Sequence, residues 1–341
     1  MNTSDSQDSQ LNWKAIIGLL ISAAFLYIAV RHLEPEEVID AFRQAQYYWI
    51  VPGVILYLFA LIARTARWQT LLSGERRIPL RELLPTMAIG RGANNIYPFR
   101  TGEIVRVFLL RRRNGVSAAA GFASILVERI FDGLTMVLFL IVAAVVGGIP
   151  TYLRYAVLVA SGFFGAALAL VYAVVLWPTP VSRWANWTID RVTPSRFHTQ
   201  FHSIVGRFVG GLSCVKSAAT LTLVLLFSVC VWTAETISYR LLMNAFGFSI
   251  SFHQLLLMSG AANLGTALPS GPANVGTFDA PAIEVLRRVG IPKDIAISYQ
   301  TLLHAVLWCT ETLTGLWFMW RTGLGRSDLE RELPAVIGDQ A

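Results

Sequence analysis

A charged, irregular stretch between long apolar segments most constrains what this chain can fold into. Residues 89–113 read IGRGANNIYPFRTGEIVRVFLLRRR, with glycines and a proline that interrupt a continuous helix. Two apolar segments precede this stretch and another follows it. Irregular backbone survives at membrane depth only where protein or a wet cavity shelters its peptide groups, and charged side chains there usually mark function. We therefore predict a broken-helix site inside a membrane protein.

The composition indicates a polytopic membrane protein. Of the 341 residues, 55% are apolar and 14% are charged, whereas a soluble domain carries about 25% charged residues. We expect an all-α fold with a disordered leader at 1–12, a membrane domain at 13–322 and a charged cytoplasmic tail at 323–341. Apolar segments of sufficient length predict six full transmembrane helices, at residues 13–30, 48–68, 117–146, 152–177, 216–242 and 295–320.

A second irregular stretch, at residues 252–288, is also rich in glycine and proline. If both stretches are re-entrant hairpins, most loop arginines and lysines, Arg64 and Arg67 among them, fall on the side of the two termini. The positive-inside rule then places both termini in the cytoplasm of a prokaryotic cell with the chain in its cytoplasmic membrane. The net charge of +7 therefore reflects cytoplasmic loops, and we expect no nucleic-acid binding. Residues 181–215 are predicted to form a basic amphipathic surface helix or a plain linker.

The two irregular stretches resemble each other, which predicts an internal repeat at about 13–148 and 152–322. The matched positions are Asn94 with Asn274, Glu103 with Asp279, and Gly115 with Gly290. Each half then holds three full spans and one hairpin, so the second half is inverted relative to the first. Inverted repeats whose broken helices meet at the midplane are a recurring plan of transporters.

The first candidate site is a charged cluster in the first stretch. Arg100, Glu103 and Arg106 are three residues apart, so they share one face of a short helix. Arginine suits bidentate contacts with phosphate, and Glu103 would hold the two arginines in place. The alternative is a structural cluster that neutralises itself. Further candidate binding residues in this stretch are Arg91, Asn94 and Asn95.

Charged residues within the third span form a second candidate site. Glu128, Arg129 and Asp132 lie in one sector of that helix. Arg129 and Asp132 can pair one turn apart, which leaves Glu128 as a partner for Arg100 or as a proton carrier. A buried structural ion network is the alternative.

The second half supplies further candidates. His304 and Glu311 share one face of the last span with Trp308, which suits either proton coupling or hydrogen bonds between helices. Glu235, one turn before Tyr239, allows the same two interpretations. Asp279, near Asn274, either lines the site or caps a half-helix that begins at Pro281.

Known catalytic and cofactor motifs are absent from the sequence. It contains no Walker loop, no HExxH, no Ser/His/Asp set and no CxxC pair. We therefore expect no metal, no cofactor and no enzymatic activity.

The motif Asn94-Asn95-x-x-Pro98-x-Arg100-x-Gly102-Glu103-x-x-Arg106, followed by Glu128-Arg129-x-x-Asp132, resembles the membrane domain of lysylphosphatidylglycerol synthases. A second segment is similar to that family's second motif, Pro269-Ser270-x-Pro272-x-x-Val275-Gly276-Thr277-Phe278 with a later His304-Ala305. The resemblance covers about residues 13–322. It implies a flippase-like membrane protein that moves a lipid or lipid-linked sugar between leaflets. The chain departs from the family at Phe278-Asp279, where glutamate is frequent, and without the soluble aminoacyl-transferase domain of full synthases we expect no lysyl transfer.

Together these features predict a lipid translocase. A polar, partly basic cavity between the hairpins would take the headgroup of an anionic or phosphate-bearing membrane lipid, with Arg91, Arg100 and Arg106 on the phosphate. Glu103, Glu128 and Asp132 would orient the arginines or carry protons. Three alternatives stay open: an integral membrane transferase acting on a polyprenyl-phosphate sugar with Glu103 or Glu128 as base, a non-transporting partner subunit, and a transporter of small solutes or ions.

Replacing Arg100 with alanine should remove a co-purified anionic lipid, because the substitution deletes a predicted phosphate contact. Native mass spectrometry of gently purified wild-type and Arg100→Ala proteins measures this. A folded Arg100→Ala protein that retains the lipid and moves it at the full rate would contradict the assignment of Arg100.

Overall fold

The computed structural model describes residues 35–97, 101–148, 151–212, 215, 217–268 and 270–323. This part of the chain contains twelve α-helices and no β-strand, which confirms the all-α fold. The leader, the first predicted span, Arg100 and the tail from residue 324 lie outside the described residues. The helices are α1 (Pro35–Gln44), α2 (Ile50–Leu72), α3 (Leu80–Ile96), α4 (Gly102–Asn114), α5 (Ala118–Gly147), α6 (Thr151–Leu176), α7 (Pro178–Val192), α8 (His198–Gly211), α9 (Ala218–Met243), α10 (Phe252–Gly265), α11 (Asp279–Arg288) and α12 (Lys293–Arg321).

Four described helical segments are long and apolar enough to cross a membrane. They are Tyr47–Leu72, Ala118–Gly147, Arg154–Leu176 and Ala218–Phe246, which correspond to predicted spans two to five. The sixth predicted span coincides with α12, whose 29 residues are also long enough but include His304 and Glu311. The chain is therefore a polytopic helical membrane protein, and the count of six spans stays a prediction.

Each irregular stretch forms a helical hairpin whose arms cross in backbone contact. In the first hairpin α3 packs against α4, and in the second α10 packs against α11. A Cβ atom on Gly102 would lie 1.9 Å from the carbonyl oxygen of Gly90, and one on Gly265 would lie 2.1 Å from that of Thr277. Both hairpins therefore depend on glycine at the crossing, because any side chain would overlap the backbone of the facing arm.

Equivalent helices of the two halves make equivalent contacts. The helices that precede the hairpins, α2 and α9, pack extensively against each other. The first arm of each hairpin packs against the helix that follows the other hairpin, so α3 lies against α12 and α10 lies against α5. The two halves are therefore interlocked, with the hairpins between their long helices.

The basic segment at 181–215 is two helices, so the prediction of one surface helix was wrong. Helix α7 ends at Val192, and Pro194 precedes a short turn before α8 begins at His198. Proline disfavours the helical conformation in the residue before it, and Thr193 is extended, with φ −110° and ψ 151°. The position of this segment at a membrane surface stays a prediction.

Replacing Gly102 with alanine should destabilise the protein by about 1–3 kcal/mol, the usual effect of overpacking. The matched control is Gly162→Ala in α6, where an added Cβ meets no atom within 4 Å. The control should be neutral or stabilising by about 0.5–1 kcal/mol, because alanine favours the helix. Thermal unfolding midpoints in detergent compare the two, and equal midpoints would contradict the close crossing of α3 and α4.

Candidate functional site

One polar cavity, of about 140 Å³, is lined by side chains from both hairpins and from the long helices around them. Eight of the predicted site residues line it: Arg91, Asn94, Asn95, Glu103, Arg106, Arg129, Asn274 and His304. Of the remaining four, Asp132 and Asp279 line adjoining cavities, Glu128 is buried beneath the cavity arginines, and Arg100 lies outside the described residues. The fold therefore brings together residues that are up to about two hundred positions apart in the sequence.

Glu128 is the centre of a buried ion network, which is the alternative that the sequence left open for this group. Its carboxylate accepts hydrogen bonds from Arg106 at 2.8 Å and from Arg129 at 2.7 Å. A third guanidinium, that of Arg67, lies 3.3 Å away. The residue is 1% exposed, and a buried carboxylate requires such partners because desolvation of an unpaired charge is strongly unfavourable.

Asp132 extends the same network to α9. It accepts hydrogen bonds from the Arg67 guanidinium at 2.6 Å and from the Trp232 indole N–H at 2.8 Å. The predicted pair of Arg129 with Asp132, one helical turn apart, is present at 3.3 Å. Helices α2, α5 and α9 are therefore held together by one network of ion pairs and hydrogen bonds.

The predicted arrangement of Glu103 between two phosphate-binding arginines was wrong for Arg106. The Arg106 guanidinium is buried, lies 4.3 Å from the centre of the Trp68 ring and is bound to Glu128. Glu103 instead lies 3.5 Å from Arg129 on α5. Three-residue spacing correctly placed Glu103 and Arg106 on one helix, but their partners come from another helix that the spacing cannot specify.

Two further ion pairs join the halves, and neither pairing was predicted from the sequence. Arg64 on α2 lies 2.5 Å from Glu235 on α9, and both are buried. Arg91 on α3 is bound to Glu311 on α12, and Tyr57 donates a hydrogen bond to the same carboxylate. Arg64 was counted among the loop charges because it lies near the end of its apolar segment. Acidic residues within other apolar spans were the indication that it has an intramembrane partner.

Asp279 does not cap a helix at Pro281, because α11 already begins at Asp279. Its carboxylate accepts hydrogen bonds from the Gly276 backbone N–H at 2.8 Å and from the Gln300 amide at 3.1 Å. His304 Nδ1 lies 2.7 Å from the same carboxylate. Asp279 therefore joins α11 to α12 at the edge of the polar cavity.

The cavity is charge-balanced rather than basic in the part of the chain that the structure describes. Five arginines and five carboxylates form its walls and the network behind them, apart from the pair of His304 with Asp279. They are Arg64, Arg67, Arg91, Arg106 and Arg129 with Glu103, Glu128, Asp132, Glu235 and Glu311. The prediction of a partly basic cavity was therefore wrong for these residues.

Two further cavities, each of about 450 Å³ and mainly apolar, adjoin the polar one. The first shares Asn94, Arg129 and Trp232 with the polar cavity, and its other side is lined by Phe163 and Phe164. The second shares four residues with the polar cavity: Asn95, Ala273, His304 and Trp308. The rest of its lining is largely apolar and includes Val275, Ile283 and Ile297. A molecule with a polar head and an apolar chain matches this arrangement.

Replacing Glu235 with glutamine should destabilise the protein by about 3–5 kcal/mol, because it leaves the Arg64 charge buried without its partner. The double variant Arg64→Leu/Glu235→Leu should recover most of this loss. The control is Glu284→Gln, which disrupts an exposed pair with Arg287 worth at most about 1 kcal/mol. Unfolding midpoints in detergent test this, and a neutral Glu235→Gln variant would contradict the buried pair.

Comparison with known proteins identifies the family. A family model described as the lysylphosphatidylglycerol synthase TM region matches residues 15–315. Among similar proteins, the glycosyltransferase AglD of Haloferax volcanii is 26% identical, over 85% of this chain and 51% of that protein, so this chain spans about half of that relative's length. The UPF0104 membrane protein PH1989 of Pyrococcus horikoshii is 22% identical over 89% of this chain and 95% of that protein. The chain belongs to the lysylphosphatidylglycerol synthase TM region family.

Proposed function

We propose that this protein binds the headgroup of an anionic membrane lipid in the polar cavity and moves it across the bilayer. The observation that carries the proposal is that the charged cavity shares lining residues with two apolar cavities. A headgroup in the polar cavity would leave its acyl chains in an apolar cavity or in the surrounding lipid. A soluble ion would use only the charged part of this space.

Arg91 and Arg129 are the arginines best placed to meet a lipid phosphate. Their side chains are 21% and 30% exposed, whereas Arg106 is buried against Trp68. Arginine presents a planar fork of donors that matches phosphate geometry. The neighbouring amides of Asn94 and Asn274 also line the cavity and supply hydrogen bonds to a headgroup.

Each of these two arginines is paired with a carboxylate, which suits reversible binding of a phosphate. Arg129 has Glu103 at 3.5 Å and Arg91 has Glu311, and both carboxylates are themselves partly exposed. An incoming phosphate would replace a carboxylate as the partner of an arginine. Because one anion replaces another, the buried arginine keeps an anionic partner during binding and release. The displaced carboxylate is partly exposed to the cavity.

The interlocked repeats provide the means of movement. In many transporters a substrate site lies where broken helices of two inverted repeats meet, and one repeat moves against the other to expose the site alternately. Here the cavity lies between hairpins from the two halves, and each half contributes charged side chains to it. A change in the packing of the halves would therefore alter which side of the cavity is open.

An integral membrane transferase is the second candidate, and one observation favours it. A relative that matches 85% of this chain is named a glycosyltransferase. In that case Glu103 is the better general base, because it lines the cavity and is 21% exposed, whereas Glu128 is buried beneath three arginines. Release of sugar from a polyprenyl-phosphate sugar by purified wild-type protein, lost in Glu103→Gln, would support this candidate.

Replacing Ala267 with tryptophan should remove most lipid movement, because the new ring would fill the apolar cavity that Ala267 lines. Its matched control is Ala156→Trp, at an exposed position of α6 that lines none of the three cavities described above. The assay uses vesicles of phosphatidylcholine and phosphatidylglycerol with fluorescent phosphatidylglycerol, quenched from outside by dithionite.

The outcomes of this assay separate the candidates. Faster quenching with wild-type and Ala156→Trp protein, and not with Ala267→Trp, supports lipid movement through the cavity. Equal quenching with all three would contradict the proposed route. Wild-type quenching no faster than in protein-free vesicles, together with turnover of the sugar donor, would favour the transferase.

A further inference from the structure

Each half of the protein places one basic side chain on the acidic residue at the start of the second hairpin arm. Arg129 lies 3.5 Å from Glu103 in the first half, and His304 lies 2.7 Å from Asp279 in the second. Arg129 and His304 are 175 residues apart, as are Gly115 and Gly290, which follow α4 and α11 with φ of 67° and 94°. His304 therefore occupies the position of Arg129 in the second half.

The two basic side chains differ in one chemical respect. A guanidinium stays charged at any physiological pH. An imidazole gains or loses a proton between about pH 5 and 8. The second half thus has a titratable group where the first half has a permanent charge.

Both ring nitrogens of His304 face hydrogen-bond acceptors. Nδ1 lies 2.7 Å from the Asp279 carboxylate, and Nε2 lies 3.1 Å from the Ala273 carbonyl oxygen. A neutral imidazole has one N–H and can donate to only one of them. Asp279 also accepts hydrogen bonds from Gly276 and Gln300, and three donors around a carboxylate suit its ionised form. Only the doubly protonated imidazolium of His304 can donate a hydrogen bond to both acceptors.

The bond from His304 to Ala273 holds a strained turn. Ala273 and Asn274 have φ of 59° and 60°, in the left-handed region that residues other than glycine rarely adopt. Such a conformation persists only where surrounding contacts hold it in place. Ala273 lines the polar cavity and both apolar cavities, so the turn lies where the three meet.

We propose that His304 is a proton-binding site that ties the turn Pro272–Asn274 to α12, and that lipid movement requires release of this proton. Loss of the proton removes one of the two hydrogen bonds of the ring, and the strained turn is then free to relax. The connection between the polar and apolar cavities changes with it. This inference rests on the proposed function only for the step of lipid movement.

Other ionisable groups near His304 are already paired. The charged residues that line the polar cavity with His304 all have ionic partners: Arg64 with Glu235, Arg91 with Glu311, Arg129 with Glu103, and Arg106 with Glu128. Ion pairs on helices packed against α12 include Glu284 with Arg287 and Arg288, and Asp40 with Arg43. Glu311 lies seven residues after His304 on the same face of α12, and it is bound to Arg91 and Tyr57. The proton is therefore assigned to the pair of His304 with Asp279.

Nitrogen NMR of the full chain with ¹⁵N-labelled histidine tests the protonation directly. The chain has five histidines, and the signal absent from His304→Gln identifies His304. We expect an imidazolium signal from His304 in the wild type and a neutral imidazole in Asp279→Asn under the same conditions. A neutral His304 throughout about pH 5 to 8 would overturn the proposal.

Hydrogen exchange of residues 270–276, corrected for intrinsic rates, tests the hold on the turn. Wild type and the control His202→Gln should be protected at low pH and lose protection as pH rises. His304→Gln should lack protection at low and at high pH. His304→Arg, which places an arginine where the first half has Arg129, should keep protection at low and at high pH. Unchanged protection of α5 verifies that each variant is folded. Protection in His304→Gln equal to that of wild type would overturn the proposal.

The coupling to lipid movement is measured in the vesicles described above. A pH gradient should change the movement of fluorescent phosphatidylglycerol by wild-type protein and not by His304→Arg. The same wild-type rate with and without the gradient would overturn the coupling. If the wild type moves no labelled lipid while the NMR and exchange results are as expected, the proposed function fails and the proton site stands.

Discussion

The need to pair every buried charge is the constraint on which this structure depends. Glu128 is shared by arginines from α2, α4 and α5, and the pair of Arg64 with Glu235 crosses from one half to the other. A buried ion left without its partner is unfavourable by several kcal/mol. The pairs that cross between the halves, Arg64 with Glu235 and Arg91 with Glu311, are therefore satisfied only when the two halves interlock. The cavity is the part of the network that the packing leaves open.

The same charges give the cavity its chemical character. Its inner arginines are used by the network, and the outer ones, Arg91 and Arg129, are paired with carboxylates that a phosphate can replace. Apolar cavities on two sides extend this polar centre. The repeat is asymmetric at one position, where Arg129 of the first half corresponds to His304 of the second. Balanced charge, apolar flanks and one titratable partner together suit an amphipathic substrate that is bound and released.

Local features could be predicted from the sequence, and long-range partners could not. The length of apolar segments predicted the long helices, glycine and proline predicted the two hairpins, and one-turn spacing predicted the pair of Arg129 with Asp132. The partners of Arg106 and Glu128 depend on how helices pack, which spacing does not specify. Arg64 lies near the polar end of an apolar segment, so it resembled a loop residue. The break at Pro194 was available from the sequence, because proline disfavours helix in the residue before it.

Mapping where a lipid contacts the protein tests the central claim most directly. Wild-type protein in vesicles that contain phosphatidylglycerol with a photoreactive acyl chain would be irradiated, and the cross-linked residues identified by mass spectrometry. We expect cross-links to side chains of the apolar cavities, including Phe164 and Met136, that excess unlabelled phosphatidylglycerol suppresses. Cross-links confined to outward-facing residues such as Leu158 and Val159, and unaffected by competing lipid, would contradict a lipid-binding cavity.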